Sequence, residues 1–332
     1  MATMRQDIKH NTDLPRLAEP MEAANFTEVP KRRNVLIKDG WIYADRPDTT
    51  EENQWWKPVE AYYRGQKPYL ELARCGETPT QIARFLETYG AITEERARIA
   101  PNQIRFQLSE FERERSHFAF VAELASGLKK PATLQGIFLK RLKEAAQNSL
   151  AGKPGWLSIM ERIRWVLNVP QPSTSDGTAT ASAIRKVYFV VLLRKLELHL
   201  QQMSDKALAE KAASYLAVSI SERLRDIKVR FECEADGSAK LSAECFNKLL
   251  NSFYWMLAND LATCHGPTRC AHCKRFFFAD KQNVAYCPER PECKERGRRK
   301  VDWERNKDKY NRNRKRKRDA ERKKRGEHAK AT

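Results

Sequence analysis

No stretch of this 332-residue sequence stays apolar for long. The longest uninterrupted run, Val187 to Leu193, falls far short of the ~20 residues that cross a bilayer, so no transmembrane helix is expected. The opening segment MATMRQDIKHNTDLPRLAEP has no apolar core followed by a small-residue cleavage site, which argues against a secretory leader and for a cytoplasmic protein. No internal repeat of ~20–50 residues is visible. A Walker loop, a G-x-S-x-G elbow and an H-E-x-x-H pair are all missing, and with them the common signatures of nucleotide, acyl and zinc-protease chemistry. An even scatter of cysteines is missing too. Five of the eight crowd between Cys264 and Cys293, which suits metal ligation in a reducing compartment better than a disulfide framework. Cys75, Cys233 and Cys245 then read as small apolar residues.

What the sequence does have is charge of one sign. Sixty-two Lys and Arg against 43 Asp and Glu leave a formal charge of +19, and such an excess implies a polyanionic partner, nucleic acid or an anionic membrane surface. Its 41% hydrophobic content is enough for one large or two modest cores with polar ends.

The expected fold is mainly α with small β-hairpins: a helical N-terminal domain, then a C-terminal treble-clef-like zinc finger and a basic helical or disordered tail. Residues 1–33 are polar and interrupted by Pro15, Pro20 and Pro30, so a disordered arm is expected there. Residues 34–264 form the mostly helical domain. In NVLIKDGWIYA, apolar residues alternate about Asp39-Gly40, which predicts a tight hairpin over residues 34–44. From Pro58 to Leu167 the pattern predicts helices: one begins at Thr78-Pro79 and is bracketed by Gly76 and Gly90, and another runs from Pro101 to about Gly127. Two more are expected near residues 133–148 and 154–168, followed by a Pro/Ser/Thr linker near 170–182. Beyond it, helices over residues 183–203 and 205–218, a hairpin over 227–241 turning at Asp236-Gly237, and an apolar helix carrying Phe246 to Leu261 lead into the cysteines.

The zinc finger is placed at residues 265–300 and the basic tail at 301–332. Cys270-x2-Cys273 and Cys287-x5-Cys293 are two close pairs separated by thirteen residues, and each pair can span one edge of a tetrahedron around zinc. Four thiolates close the coordination shell, so the metal would be structural, one Zn2+ per chain, with no open position for an activated water. Lys274 to Tyr286, with Phe276, Phe277 and Phe278, suits a hairpin joining the pairs, at least one of these rings forming its core. Cys264, His265 or His272 could replace one ligand. Nucleases of the His-Asn-His type share the treble-clef fold but need a histidine base, and none occurs between His272 and His328, so no catalytic residue is expected.

These residues resemble a known family. CAHCKRFFFADKQNVAYCPERPECKER is similar to the CGNR zinc finger at the C-terminus of bacterial stress-related transcriptional regulators that carry a helical ABATE-type N-terminal domain. The likeness rests on Phe276 to Phe278 and Asp280, on Tyr286 before Cys287, and on Cys293 with Arg296, and it covers about residues 245–300. A weaker likeness extends to the hairpin of residues 227–241 and to FLETYGAI at residues 85–92. The sequence departs from the family in reading Cys293-Lys294-Glu295-Arg296 at the tetrad, and in separating the first pair by only two residues. It thus resembles a divergent or neighbouring member, and the resemblance implies structural zinc and a DNA-binding regulatory role.

Between Lys294 and Arg325 stand eighteen Lys or Arg against six Asp or Glu. Arg275, Arg296, Arg298, Arg299, Lys300, Arg312, Arg314, Lys315, Arg316, Lys317 and Arg318 are the candidate nucleic-acid contacts, with DNA favoured over RNA. Trp303 and Tyr310, seven residues apart, are expected to pack back on the finger in a seam with Val301. The competing reading is a protein-interaction or ligand-sensing scaffold in which residues 55–264 bind the partner and the finger is purely structural.

Overall fold

The computed structural model describes residues 29–45, 55–56, 58–92, 97–100, 103–153, 155–170, 181–225, 227–233, 239–245, 249–262, 266–279 and 284–331. Among these residues the chain is mainly helical, with a few small antiparallel strand pairs.

Strand β1 (Val29–Pro30) leads into β2 (Arg33–Lys38) and β3 (Trp41–Asp45), and β4 (Trp55–Trp56) pairs back on β1. Residues 29–33, which the sequence assigns to the arm, are therefore partly in strands: Pro30 is tolerated because its ladder is only two residues long and has no further strand beside it. Asp39 and Gly40 both take positive φ, 51° and 76°, which is what a tight turn between right-twisted strands requires. Three short helices follow, α1 (Pro58–Tyr63), α2 (Pro68–Arg74) and α3 (Pro79–Tyr89). The Thr78 hydroxyl accepts from the Gln81 amide and Pro79 occupies the first turn, where its missing N–H is harmless; Gly90 ends the helix at φ 90°.

The sequence reading of one helix from Pro101 is wrong. The chain instead forms β5 (Ala97–Ala100) and β6 (Gln103–Gln107), which complete a four-stranded sheet in the order β2-β3-β6-β5, and only then enters α4 (Leu108–Leu128). Ile104 and Leu108 stand four apart, a helical step, but the Ile104 and Phe106 side chains are both buried and alternate with half-buried Gln103, Arg105 and Gln107. Pairing with the preformed hairpin, Ile42 opposite Phe106 and Ala44 opposite Ile104, outweighs the local helical signal.

Helix α5 (Leu134–Leu150) packs on α4, and α6 (Trp156–Val166) packs on α5. The expected linker lies almost wholly outside the described residues. Next come α7 (Ala181–Gln202), α8 (Asp205–Leu224), the paired strands β7 (Ile227–Cys233) and β8 (Ala239–Cys245), and α9 (Leu249–Ala262). The turn at Asp236-Gly237 is likewise outside the described residues. The remaining elements are β9 (Thr268–Arg269), β10 (Phe276–Phe277) and the long α10 (Pro291–Ala331).

Helix α4 is the axis of the body. Phe111, Phe118, Val121 and Leu124 are fully buried on it, and it packs against α2, α5, α8 and the finger strand β9. Its buried charged residues are each tied outward: Glu114 to Arg113 and Arg223, Arg115 to Glu77, Glu123 to Lys140 and Arg269. Deep inside, His117 bridges two tyrosines, its Nε2 3.2 Å from the Tyr215 hydroxyl and its Nδ1 3.1 Å from that of Tyr254.

Burial, and then the charges of Arg141, Arg162, Arg223 and Arg113, hold His117 well below its ordinary pKa, so it stays neutral in the fold. The unfolded chain takes up that proton below about pH 6.5, so this contribution to stability is present above that pH and lost as pH falls. Between pH 7.5 and 5.5 the wild type should lose about 1.4 kcal/mol more than a His117→Gln variant, which cannot titrate, in urea unfolding. An equal pH dependence for the two proteins would contradict it.

Candidate metal centre and its basic surroundings

Four cysteine sulfurs converge. The Sγ atoms of Cys270, Cys273, Cys287 and Cys293 all lie within 4.8 Å of one another, with Cys273 and Cys287 3.7 Å apart. No other cluster of potential metal ligands occurs among the described residues, and His272 is outside this one; Cys264 and His265 are outside the described residues. Three of the sulfur-bearing residues are buried and Cys273 is half-buried, each sulfur being matched in type and reach to a tetrahedral thiophilic ion.

The backbone explains the convergence. After Cys270 the chain makes a tight knuckle: the Cys270 amide donates to the Arg275 carbonyl at 2.9 Å, the Lys274 amide donates to the Cys270 carbonyl at 3.1 Å, and Lys274 takes a positive φ of 62°. The Ala271 amide donates to Ala285 at 2.8 Å and ties the knuckle to the approach of the second pair. Cys293 sits in the first turn of α10, two residues after Pro291, and its amide donates to Arg290 at 2.9 Å. A knuckle and a helix N-terminus thus share four sulfurs.

The expected hairpin between the two pairs is corrected here. Phe276 and Phe277 pair backwards with Arg269 and Thr268, so the ladder flanks the first knuckle on both sides. The knuckle already reverses the chain, which makes the strand before it the nearest partner. The three phenylalanines divide: Phe277 is fully buried with the cysteines, Phe276 joins the main core, and Phe278 is half-buried beneath the Lys67 ammonium, 4.4 Å from its ring centre.

The thiols differ before any metal arrives. Burial opposes ionisation of Cys270, yet hydrogen bonds from the backbone at Cys287, Cys273 and His272 outweigh it and hold the thiol at about 6. Burial pushes Cys287 upward, and its three neighbouring sulfurs push it further. Four sulfurs this close cannot all be anionic without a cation among them, whereas a divalent ion would let them all ionise. By contrast Cys75, remote from the cluster, is pushed up to about 11 by burial, as an inert packed thiol would be.

The finger is bolted to the body. Arg74 donates to the Phe276 carbonyl at 2.6 Å and pairs with Glu289 at 2.9 Å; Lys129 donates to the Gly266 carbonyl at 2.8 Å; Arg269 pairs with Glu123 at 3.0 Å. Beside these contacts, Asp260 of α9 is almost fully buried and accepts from Tyr62 at 2.6 Å, Tyr69 at 2.5 Å and Lys67 at 2.8 Å. Sequence reasoning missed this node because its members are about 190 residues apart.

Between the knuckle and helices α4 and α5 runs a cleft of about 560 Å³ lined by Lys129, Lys130, Lys140, Arg269 and Lys274 with one acid, Glu123. An adjoining hollow of about 400 Å³ shares four of those walls and adds Arg275. Arg275 is therefore separated in position from the other candidate contacts, which lie on α10. Arg296, Arg298, Arg299, Lys300, Arg312, Arg314, Lys315, Arg316, Lys317 and Arg318 are all exposed there. Five of them, Arg314 to Arg318, are consecutive, so they circle the helix and do not form one face. Trp303, Tyr310 and Val301 do not pack on the finger: they are 49%, 45% and 42% exposed. By then α10 has run clear of the knuckle, and among the described residues no element lies beside it to cover them.

No family model matches the chain, and neither the curated proteins nor the solved structures include a significant match.

Proposed function

We propose that this protein binds nucleic acid through α10, which a zinc-held finger anchors rigidly to a helical body. The observation that carries the reading is the continuity of the two parts: Cys293 lies in the first turn of the same 41-residue helix that carries the eighteen-residue basic cluster. At ~1.5 Å per residue that helix is ~60 Å long, enough to follow several phosphates. Zinc is the metal the donor set favours, since four thiolates and no oxygen or nitrogen ligand suit a structural zinc site. A treble-clef-like finger of the CGNR kind, in a bacterial DNA-binding transcription regulator, is the specific form that the resemblance implies. Phosphate contacts position a protein without reading bases, so sequence preference in such a regulator comes from finger side chains or DNA shape.

A salt titration tests it. Duplex affinity should fall with a log–log slope of about 0.9 per neutralised phosphate, so six contacts would cost about a thousand-fold between 50 and 200 mM salt. A chain truncated after Trp303 should lose most of that slope. Unchanged affinity on truncation, or no binding at low salt, would overturn the reading. It would favour the scaffold alternative, which the docking of Phe276 into the main core and the pairing of Arg269 with Glu123 also fit.

A further inference from the structure

Taking steps of three or four along α10 from Lys300 gives Lys300, Trp303, Lys307, Tyr310, Arg314 and Lys317, all exposed. These positions lie on one face of a 3.6-residue helix. The stripe holds two aromatic rings and four cations and no carboxylate, while the nearby acids Asp302, Glu304 and Asp308 fall to either side. The geometry on it is ordered. The Tyr310 hydroxyl donates to Asp302 at 2.8 Å, Asn306 donates to the same carboxylate at 2.9 Å, and the Lys307 ammonium lies 5.4 Å from the Trp303 ring centre. Folding gives no return for an exposed tryptophan in a helix of otherwise charged residues, since neither ring buries its area against the body.

The occupant must be polyanionic and carry flat apolar groups. A second copy of α10 would set lysine and arginine against lysine and arginine, so self-pairing through this stripe is repelled. Lys300 pairs with Glu304 at 3.9 Å, but an apolar helix would bring no counter-charge to Lys307, Arg314 and Lys317. Base-paired DNA offers phosphates but keeps its base faces stacked inside, out of reach of a ring on a helix surface. Only unpaired nucleotides present both parts.

We infer that the stripe from Lys300 to Lys317 is a binding site for single-stranded nucleic acid, with Trp303 and Tyr310 as stacking platforms and the flanking cations on the backbone phosphates. This rests on the nucleic-acid reading above and adds the strand state. The rings are ~10 Å apart along the axis, about three stacked nucleotides, so one strand can engage both while the intervening phosphates pass Lys307.

The test uses the full zinc-loaded chain with twelve-nucleotide single strands of DNA and of RNA and a duplex of the same length, at one salt concentration. Tryptophan emission should be quenched by the single strands, and Trp303→Phe should remove the quenching while retaining affinity. Trp303→Ala and Tyr310→Ala should each weaken single-strand binding about thirty-fold, the middle of the range for base–aromatic stacking, with little effect on the duplex. Val301→Ala, which is exposed but off the stripe, should change neither. A DNA strand and an RNA strand bound alike would point to base stacking with no 2′-hydroxyl contact; either strand bound alone still supports the site and identifies its source. Salt-dependent binding that the alanine variants leave unchanged would overturn this inference and leave the proposed function standing. Absence of all binding at low salt would overturn both. A dimer that forms without nucleic acid and dissolves in Trp303→Ala would also overturn it.

Discussion

Cys287→Ser should abolish binding of the proposed zinc and open the finger, while the body around α4 stays folded. Cys287 is buried, 3.7 Å from the sulfur of Cys273, and it is the first cysteine of the second pair. Serine offers a hard, neutral oxygen where a soft thiolate is needed, and a three-sulfur remnant cannot close the tetrahedron. The small finger core consists of Cys270, Phe277, Ala279, Cys287 and Cys293, so apart from two other side chains its interior is the cysteine cluster itself. In sites this small the binding free energy is the folding free energy, on the order of 10–16 kcal/mol for zinc-finger peptides, and losing one thiolate should remove most of it. Metal analysis should find one equivalent of zinc in the wild type and well under half in the variant. Limited proteolysis should cut near residues 266–290 in the variant alone. A Cys287→Ser protein with a full equivalent of zinc and a protected finger would refute the assignment. Cys293→Ser should behave alike and, by freeing the first turn of α10, also weaken the proposed nucleic-acid binding.

Asp260→Ala should cost about 3 kcal/mol of stability, among the largest single-residue effects in the body. The carboxylate accepts from two tyrosine hydroxyls and an ammonium, and removing it strands all three donors at a site that is closed to water except around Lys67, whose side chain is 19% exposed. That partial exposure sets the expectation at the low end of the penalty for breaking a buried ion pair. Burial, with Asp260 beside it, pushes the Tyr69 hydroxyl far above the usual phenol range, so it cannot ionise to compensate. Lys67→Met, which removes the ammonium from above the Tyr62 and Phe278 rings but keeps an apolar chain of similar length, should cost distinctly less because Asp260 retains both hydroxyls. Equilibrium urea unfolding of the two variants decides it: equal costs, or a loss under 1 kcal/mol for Asp260→Ala, would show that the node contributes little. Since Phe278 packs beneath Lys67, Asp260→Ala should also speed hydrogen exchange at Phe276 and Phe277, which links the body to the finger.

The legible parts of this sequence are those whose cause is local. Asp39-Gly40 reverses the chain through its own φ values, Thr78 caps the helix three residues from its partner, and Cys270-x2-Cys273 closes a knuckle with bonds spanning five residues. Errors fall where a local signal has two solutions. Ile104, Phe106, Leu108 and Phe111 satisfy a strand step and a helical step in turn, and only the waiting edge of β3 selects the strand for the first two. Phe276 and Phe277 have a possible partner strand on either side in sequence, and the knuckle's reversal selects Thr268 and Arg269.

By itself the sequence determined which four cysteines come together and the separation of basic charge to one end. Spacing and composition are properties of the chain, and a tetrahedron of thiolates needs only short-range geometry. Tertiary structure alone decided which surfaces remain free. Trp303 and Tyr310 look like packing residues until α10 is seen to leave the body, and Arg275 looks like one more basic residue until the knuckle turns it toward α4 and α5. It also decided that Asp260 meets Tyr62, Lys67 and Tyr69. Burial is set by what every other segment leaves uncovered, a sum over contacts distant in sequence, and no periodicity within one segment encodes it.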